Sequence, residues 1–385
     1  MTRRRERGWF VLWTLLALAL GMGAAQAQVE PTRIPDVVYQ HKLGVALTMD
    51  VFKPAKPNGI GVIWMVSGGW VSSHDAINPG LSRIFTDRGQ TVFQVVHGSQ
   101  PKFTLPEIVQ DIHRAVRFIR VHAADYGVDA NRLGIAGASA GGHLSLMMAA
   151  YSSPGDPAAK DLVERASSRV QAVAVFFPPT DFLNYGGEGV RALTYEPLRP
   201  YWRVFAVPDK ATDAEHDQIA RTYSPLYGIT KDTPPTLIIH GDADTLVPIQ
   251  QSRLVMAKLE ALNVAHKLVV REGKGHGWPG LENDLPLLAD WFAEQLRRND
   301  RSVPLPAGSV TAVEPPATDG VSALRRDFHP RAWLLFPVPA TVRCSHLEMH
   351  RLGINSTRAA FRSQPWLKSH FHEREFSILP PKGAG

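Results

Sequence analysis

Apolar and polar positions follow one another along the chain in blocks that predict strands and helices in turn. Continuous apolar runs over residues 60–66 and 91–96 are typical of strands that are buried on both faces. Apolar residues three and four positions apart over residues 106–122 predict an amphipathic helix that begins at a proline. Further strands are predicted at residues 133–136, 170–177, 236–240 and 265–270, and further helices at residues 81–88, 140–151, 250–262 and 284–298. This alternation predicts an α/β fold, a mostly parallel sheet with helices on both faces.

Two stretches depart from the alternation. Residues 37–39 and 46–52 predict an antiparallel hairpin, which would form an edge of the sheet at its N-terminal end. Residues 182–232 are rich in Pro, Gly, Tyr and Trp and lack a long periodic run. We expect this 182–232 segment to be a cap-like insertion over the carboxyl ends of the strands, where ligands bind in such sheets. An ordinary surface loop is the alternative.

The first residues have the pattern of a signal peptide. Four arginines lie within residues 3–7, residues 9–20 form an apolar core, and Ala25-Gln26-Ala27 is a small-x-small cleavage site. We therefore expect residues 1–27 to be removed and the mature chain to start at Gln28, in the periplasm or outside the cell, without stable membrane insertion. An uncleaved membrane anchor is the alternative.

The last residues differ in composition from the rest. The tail, residues 300–385, carries about a third of the prolines and no sustained apolar period, so we predict that it is disordered. A reading-frame or gene-boundary artefact would give the same pattern. The remaining residues, 28–299, are predicted to form a single catalytic domain.

Composition and charge restrict the classes of partner. The chain has 385 residues, 44% of them hydrophobic, and a formal net charge of +6. The basic excess lies at the two ends and no basic stripe interleaved with aromatic residues occurs in the middle, which argues against nucleic acid as a partner. Because Cys344 is the only cysteine, an intrachain disulfide is impossible and a cysteine-based metal site is not expected. The sequence does not indicate an oligomeric state.

A Gly-x-Ser-x-Gly pattern stands between the predicted strand at residues 133–136 and the predicted helix after it, in Gly137-Ala138-Ser139-Ala140-Gly141. A strand that reverses into a helix at such a serine is a nucleophile elbow, in which glycines avoid clashes with strand and helix. Ser139 is therefore the candidate nucleophile.

A serine hydroxyl needs a base, and His276 is the strongest candidate. His276 lies in a glycine-containing loop just after a predicted strand, which would bring it to the same rim of the sheet as Ser139. Among the other histidines, His240 ends a strand and is expected to support a loop, His143 points along the helix that follows the serine, and His97 could line a pocket.

The base needs an acid to orient it, and Asp244 is the preferred candidate. Asp242 is interpreted as a turn residue that bonds its own backbone, and Asp181, which follows another strand, is the second candidate. The order Ser139, Asp244, His276 is the chain order of a hydrolase triad on a parallel sheet.

A developing oxyanion requires two backbone N–H donors. One is expected from Ala140, directly after the nucleophile, and the other from Gly68 or Gly69 in the turn Ser67-Gly68-Gly69-Trp70. A plain glycine turn is the alternative for this second stretch.

With these motifs, the chain resembles the α/β-hydrolase superfamily, and within it the esterase/lipase branch of feruloyl-esterase-like and acetyl-esterase-like secreted hydrolases. The resemblance covers residues 37–298. Its motifs are SGGW at 67–70, GASAGG at 137–142, HGDADTLVP at 240–248 and GHGW at 275–278. Relatives often carry His-Gly-Gly-Gly where this chain has Val66-Ser67-Gly68-Gly69, which argues against the hormone-sensitive-lipase type. Dienelactone hydrolases are similar in fold but use cysteine where this chain has Ser139.

The resemblance implies a serine carboxylesterase that works through an acyl-enzyme, without metal or organic cofactor. The implied substrates are short or aromatic acyl esters, with small-molecule and carbohydrate esters among them. Trp70, His97 and Tyr185 are expected to line the substrate pocket on the basis of their positions in the sequence.

Two other functions are weighed against this one. A serine peptidase of the prolyl-oligopeptidase type shares the catalytic domain, but too few residues precede the first strand for its large N-terminal propeller. A non-catalytic binding protein on a hydrolase scaffold is compatible with the fold, although such a protein has no use for the three residues in this order.

Overall fold

The structure is a computed structural model that describes residues 30–192, 196–208 and 210–297. The predicted signal peptide, its cleavage site and the tail at residues 300–385 lie outside the described residues. The strands are β1 (Thr32–Lys42), β2 (Val45–Lys53), β3 (Gly59–Val66), β4 (Thr91–Val96), β5 (Val128–Ala138), β6 (Ala172–Phe176), β7 (Thr236–Gly241) and β8 (His266–Arg271). The helices are α1 (Pro79–Thr86), α2 (Leu105–Val121), α3 (Ala140–Ala150), α4 (Leu162–Arg165), α5 (Asp213–Thr222), α6 (Pro225–Gly228), α7 (Gln250–Ala261) and α8 (Leu285–Gln295).

Within the described residues, these strands form one eight-stranded sheet in the order β1-β2-β4-β3-β5-β6-β7-β8. The pairs β1–β2 and β2–β4 are antiparallel, and every other neighbouring pair is parallel. The predicted mostly parallel sheet with an antiparallel N-terminal edge is thus confirmed. The parallel strands all end at one edge, so the loops after β3, β5, β6, β7 and β8 are neighbours.

The hairpin that forms the antiparallel edge turns at Leu43 and Gly44. Both residues have positive φ angles, 48° and 78°, and the flanking pair Lys42–Val45 closes the ladder. Positive φ at both central residues matches the right-handed twist of the strands. Leucine at the first of them is conformationally costly.

Successive residues of the central strands face opposite layers of helices. Val62 packs in the cluster that includes Phe292 of α8, whereas Ile63 packs in the cluster that includes Ile112 of α2. Both strand residues are fully buried. This is why the strands appear in the sequence as continuous apolar runs.

Two helices begin with N-terminal caps that their sequences predict. In α1, the Asn78 side chain accepts the N–H of Leu81 at 3.2 Å and Pro79 occupies the first turn. In α2, Thr104 and Glu107 form a capping box.

No helix among the described residues is both long enough and apolar enough to serve as a membrane span.

The 182–232 segment contains helical structure that periodicity did not predict. Besides α5 and α6, residues Glu196–Phe205 form 3₁₀ turns. The N-terminus of α5 carries a capping box between Thr212 and Glu215, a sequence signal that could have identified the helix.

We expect Gly134→Ala to lower the free energy of unfolding by about 1–3 kcal/mol, because a Cβ at this position of β5 would lie 2.5 Å from the Phe292 ring. Phe292→Leu alone should also destabilise, through the volume it vacates. The double variant should lose less than the sum of the two single losses, since the smaller side chain makes room for the methyl group. Urea unfolding of all four proteins measures this coupling, and strictly additive losses would contradict the packing described.

Candidate active site

Ser139 sits at the abrupt reversal from β5 into α3. Its φ is 54°, and its N–H donates to the carbonyl of Phe176 at 3.0 Å. A Cβ on Gly137 would lie 2.5 Å from the backbone of Gly141, and a Cβ on Gly141 would lie 2.8 Å from the carbonyl oxygen of Met65. The reversal therefore requires both glycines of the predicted elbow.

The structure brings the three predicted residues of the triad into one hydrogen-bonded chain. His276 Nε2 lies 2.9 Å from Ser139 Oγ, and His276 Nδ1 lies 2.8 Å from Asp244 Oδ2. A carboxylate only accepts, so Nδ1 carries the proton and Nε2 can accept the serine hydroxyl. This arrangement prepares His276 to take a proton from Ser139.

The carboxylate of Asp244 is almost completely buried. Burial raises its pKa, but the hydrogen bonds from His240 and His276 lower the pKa by a larger amount, so that it falls to about 2. Oδ1 also accepts the backbone N–H groups of Leu246 and Val247 at 2.9 Å each. Asp244 is therefore ionised at neutral pH and fixed in place by several donors.

His240 supports the Asp244 loop, as predicted from its position at the end of β7. Its Nε2 donates to the Val247 carbonyl at 2.8 Å, and its Nδ1 lies 2.6 Å from Ser252 Oγ. Nε2 is also 3.3 Å from Asp244 Oδ2. His240 thus belongs to the surroundings of the acid and does not contact Ser139.

The two alternative acids have other partners. We predicted that Asp242 bonds the backbone of its own turn. Its carboxylate instead accepts the N–H of Gly273 at 2.7 Å and so holds the loop that carries His276. Asp181 accepts the Tyr227 hydroxyl at 3.0 Å and backbone N–H groups of its own loop. Asp181 is therefore not placed to orient His276.

In the glycine turn after β3, one of the two predicted candidate donors, Gly68, already has an acceptor, whereas Gly69 has none in the part of the chain that the structure describes. Gly68 N–H donates to the Val71 carbonyl at 3.0 Å, so it is already engaged. The N–H groups of Gly69 and Trp70 donate to no acceptor among the described residues. Ala140 is the first residue of α3, where an N–H has no carbonyl partner within the helix.

The three residues that we expected to line the substrate pocket are buried instead. Trp70, His97 and Tyr185 are at most 2% exposed. Tyr185 donates its hydroxyl to the Leu246 carbonyl at 3.1 Å, and His97 Nδ1 lies 2.7 Å from the Gly98 carbonyl. These side chains are thus almost inaccessible to a substrate in this conformation.

Three non-glycine residues with positive φ lie at the carboxyl ends of adjoining strands. They are Trp70 after β3 (59°), Ser139 after β5 (54°) and Phe177 after β6 (33°). Such conformations cost about 1–3 kcal/mol each and persist only where their surroundings hold them. Phe177 was missed by the sequence analysis, and its ring lies 4.6 Å from the His276 ring. Its position directly after a strand was the available signal.

One group of described side chains has the ligand types of a metal site. Asp36, Asp50 and His74 bring three potential ligand atoms within 4.8 Å of one another. However, Asp50 accepts Nε–H of Arg33 at 2.6 Å and the N–H of Asp36 at 3.0 Å, and His74 Nε2 lies 2.6 Å from Thr48 Oγ1. These atoms are engaged with each other and with Arg33 as a surface hydrogen-bond cluster.

Comparison with known proteins places these motifs in a family context. The BD-FAE family model matches residues 49–259. The chain is 30% identical over 195 residues to the probable carboxylic ester hydrolase LipM of Mycobacterium tuberculosis, a match that covers 50% of this chain and 43% of LipM. The chain spans about half the length of the curated relatives that it matches.

Solved structures share the fold. A truncated carbohydrate esterase from gut microbiota aligns with a TM-score of 0.60 at 24% identity, over 70% of this chain and 98% of that one. The thermophilic esterase Est2 of Thermogutta terrifontis, in its propionate-bound structure, aligns with a TM-score of 0.54 at 25% identity, over 70% of this chain and 95% of that one.

We expect the stability of the protein to fall as the pH is lowered from about 6.5 towards 4. Burial lowers the pKa of His97, His113 and His143 to about 4, whereas the unfolded chain protonates histidines near pH 6.5. Across this window the unfolded state binds more protons, which weakens folding by at most about 3 kcal/mol per imidazole.

Urea midpoints at pH 7, 6 and 5 test this expectation. His143→Gln removes one of the three buried imidazoles and should give a shallower decline with acidification than the wild type. Identical slopes for the two proteins would contradict the assignment of His143 as a buried neutral group.

Proposed function

Because the chain belongs to the BD-FAE family, we propose that it is a serine carboxylic ester hydrolase in which Ser139, His276 and Asp244 act as the catalytic triad. The predicted resemblance to the esterase/lipase branch of the α/β-hydrolase superfamily is confirmed by this family match and by the esterases among its relatives and structural neighbours.

The observation that carries the proposal is the continuous hydrogen-bond chain from Ser139 Oγ through His276 to Asp244, with separations of 2.9 and 2.8 Å. It occurs at a strained serine φ, beside backbone N–H groups without acceptors. A scaffold that only bound ligands would have no reason to combine these features.

The proposed reaction proceeds through an acyl-enzyme. Ser139 Oγ attacks the ester carbonyl while His276 Nε2 takes its proton, and the ionised Asp244 stabilises the imidazolium that forms. The N–H of Ala140 and an N–H of the turn at Gly69 and Trp70 stabilise the oxyanion. His276 then protonates the departing alcohol, and a water activated by the same imidazole releases the acid.

Short and aromatic acyl esters, carbohydrate esters among them, are the proposed substrates. The name of the gut carbohydrate esterase, which shares the fold, is consistent with esters of carbohydrates. Phe177 packs between His276 and Trp278, with ring centroids 4.6 and 5.7 Å away, and the partly exposed ring of Trp278 supplies apolar surface near the reacting groups. An aromatic or short aliphatic acyl group suits such contacts.

We also propose that the enzyme is exported to the periplasm or the outside of the cell. The support is the basic, apolar and small-residue pattern of residues 1–27. The catalytic domain is then proposed to comprise residues 28–299, followed by the tail at residues 300–385.

We expect Ser139→Ala to lower kcat for p-nitrophenyl acetate and methyl ferulate by about 10⁴-fold or more, because it removes the nucleophile. Its melting temperature should stay close to that of the wild type, and a fluorophosphonate probe should label the wild type alone. Ser152→Ala, a serine change just beyond the C-terminal end of α3, is the control and should keep full activity. Full hydrolysis by the Ser139 variant would end the proposal.

We expect the full-length protein, expressed in a Gram-negative host, to be recovered from the periplasm or medium with Gln28 as its first residue, because the leader is cleaved during export. Cell fractionation and mass spectrometry of the N-terminal peptide measure this outcome. A version that lacks residues 2–27 serves as the control and should stay in the cytoplasm. Recovery of the full-length protein in the membrane with residues 1–27 intact would favour an anchor.

A further inference from the structure

Two side chains from other parts of the chain, Gln100 in the loop after β4 and His143 in α3, form hydrogen bonds with the turn after β3. Gln100 Nε2 donates to the Gly69 carbonyl at 2.6 Å, and Trp70 Nε1 donates to His143 Nδ1 at 3.2 Å. Neither Gln100 nor His143 has a part in the proton transfers proposed above, so their contacts with the turn call for a separate explanation.

Gln100 fixes the orientation of the peptide group that joins Gly69 to Trp70. In a trans peptide the C=O and the following N–H point in opposite directions. With the Gly69 carbonyl held by Gln100, the Trp70 N–H is directed to the opposite side of the turn. The backbone N–H of Gln100 also donates to the Trp70 carbonyl, at 3.3 Å, so Gln100 binds two consecutive peptide groups.

His143 connects the turn to the helix that begins after Ser139. Its backbone N–H donates to the Ser139 carbonyl at 2.9 Å, and its Nε2 donates to the Tyr223 carbonyl at 2.8 Å. Because a carbonyl only accepts, the proton is on Nε2 and Nδ1 is free to accept the indole N–H of Trp70. The imidazole is completely buried, so both of its nitrogens are satisfied within the protein.

The indole of Trp70 needs such an anchor because its backbone is strained. Trp70 has a φ of 59°, which is unfavourable for a bulky residue. Phe182, Tyr201 and Phe205 of the 182–232 segment surround its ring with centroids 5.5 to 6.3 Å away. Ring packing restrains the indole sterically, while the bond to His143 fixes its rotation.

The turn lies directly beside the elbow. β3 and β5 are parallel neighbours, and Met65 pairs with Gly137. A Cβ on Gly141 would lie 3.5 Å from the Ser67 carbonyl oxygen, so the start of the turn touches the first turn of α3. A shift of the turn would therefore change the position of its N–H groups relative to the carbonyl carbon that Ser139 attacks.

We propose that Gln100 and His143 are positioning residues for the oxyanion donors: Gln100 anchors the Gly69 carbonyl, His143 anchors the Trp70 indole, and together they keep the N–H groups of Gly69 and Trp70 directed to the reacting carbonyl. This inference rests on the proposed esterase function. It assigns the two side chains an effect on the transition state, which carries the oxyanion, and little effect on binding of the ground-state ester.

Three variants each remove one hydrogen-bonding group of this arrangement: Gln100→Met, His143→Gln and Trp70→Phe, the last of which keeps an aromatic ring. We expect kcat for p-nitrophenyl acetate to fall between about 10-fold and about 10³-fold, since the upper value corresponds to complete loss of a donor. KM should stay within about threefold, because the affected interaction forms mainly in the transition state. Variants are compared only where circular dichroism shows the native fold, and Gln100→Met, at a partly exposed site, tests the idea even if the buried changes prevent folding.

Inhibition by a phenyl trifluoromethyl ketone separates positioning from a general structural effect. This ketone forms a tetrahedral adduct with a catalytic serine that carries the oxyanion charge, so its inhibition constant should rise in parallel with the fall in kcat/KM. His143→Gln and Trp70→Phe cut the same bond, so the double variant should be little worse than the poorer single variant.

Matched controls come from equivalent groups away from the turn. His113→Gln removes another buried imidazole, and Gln171→Met removes another carboxamide that donates to a backbone carbonyl. Both controls should keep kcat within about twofold, a margin that corresponds to less than about 0.5 kcal/mol.

The outcomes distinguish this inference from the proposed function. Normal kcat and normal ketone inhibition in folded Gln100→Met and His143→Gln, with hydrolysis still dependent on Ser139, would overturn the positioning roles and leave the esterase intact. Loss of activity in the two control variants would also overturn them, because the effect would then be structural. Hydrolysis that survives Ser139→Ala would instead overturn the function itself.

Discussion

The reversal of the chain at Ser139 is the constraint on which the rest of the site depends. Gly137 and Gly141 approach each other and the end of β3 so closely that neither can carry a Cβ. This tight turn presents the serine at the edge of the sheet and starts α3 there, which brings the Ala140 N–H to the same place. Parallel pairing then delivers the other groups, because the loops after β3, β7 and β8 open on the same edge.

The histidines of the protein show how burial and hydrogen bonding divide one side chain among several roles. His276 is partly exposed and touches both a hydroxyl and a carboxylate. His240 and His143 are fully buried. Each donates its Nε2–H to a backbone carbonyl and accepts a hydrogen bond at Nδ1. A neutral imidazole with a fixed tautomer is a rigid connector, whereas an accessible one can exchange protons with a substrate.

The sequence predicted those parts of the fold and site that depend on local pattern. The strand and helix alternation follows from apolar runs, and Ser139, Asp244 and His276 could be selected because each follows a strand whose end is visible in the sequence. The wrong or incomplete predictions concern contacts between distant segments. The burial of Trp70 depends on residues more than a hundred positions away, such as Phe205. The engagement of Gly68 is a local exception, because it depends on the backbone conformation that pairs Gly68 with Val71, and the residue types alone do not specify that bridge.

The contact of the 182–232 segment with Trp70 links the conformation of that segment to the conformation of the turn after β3. The same aromatic side chains that pack on the indole belong to the stretch of chain that differs most from a regular sheet-and-helix pattern. A chimera that exchanges this stretch with that of a relative would therefore inherit an altered catalytic rate together with any new selectivity, unless Tyr201 and Phe205 were retained. Changes of sequence in this segment therefore reach the turn after β3 through the indole of Trp70.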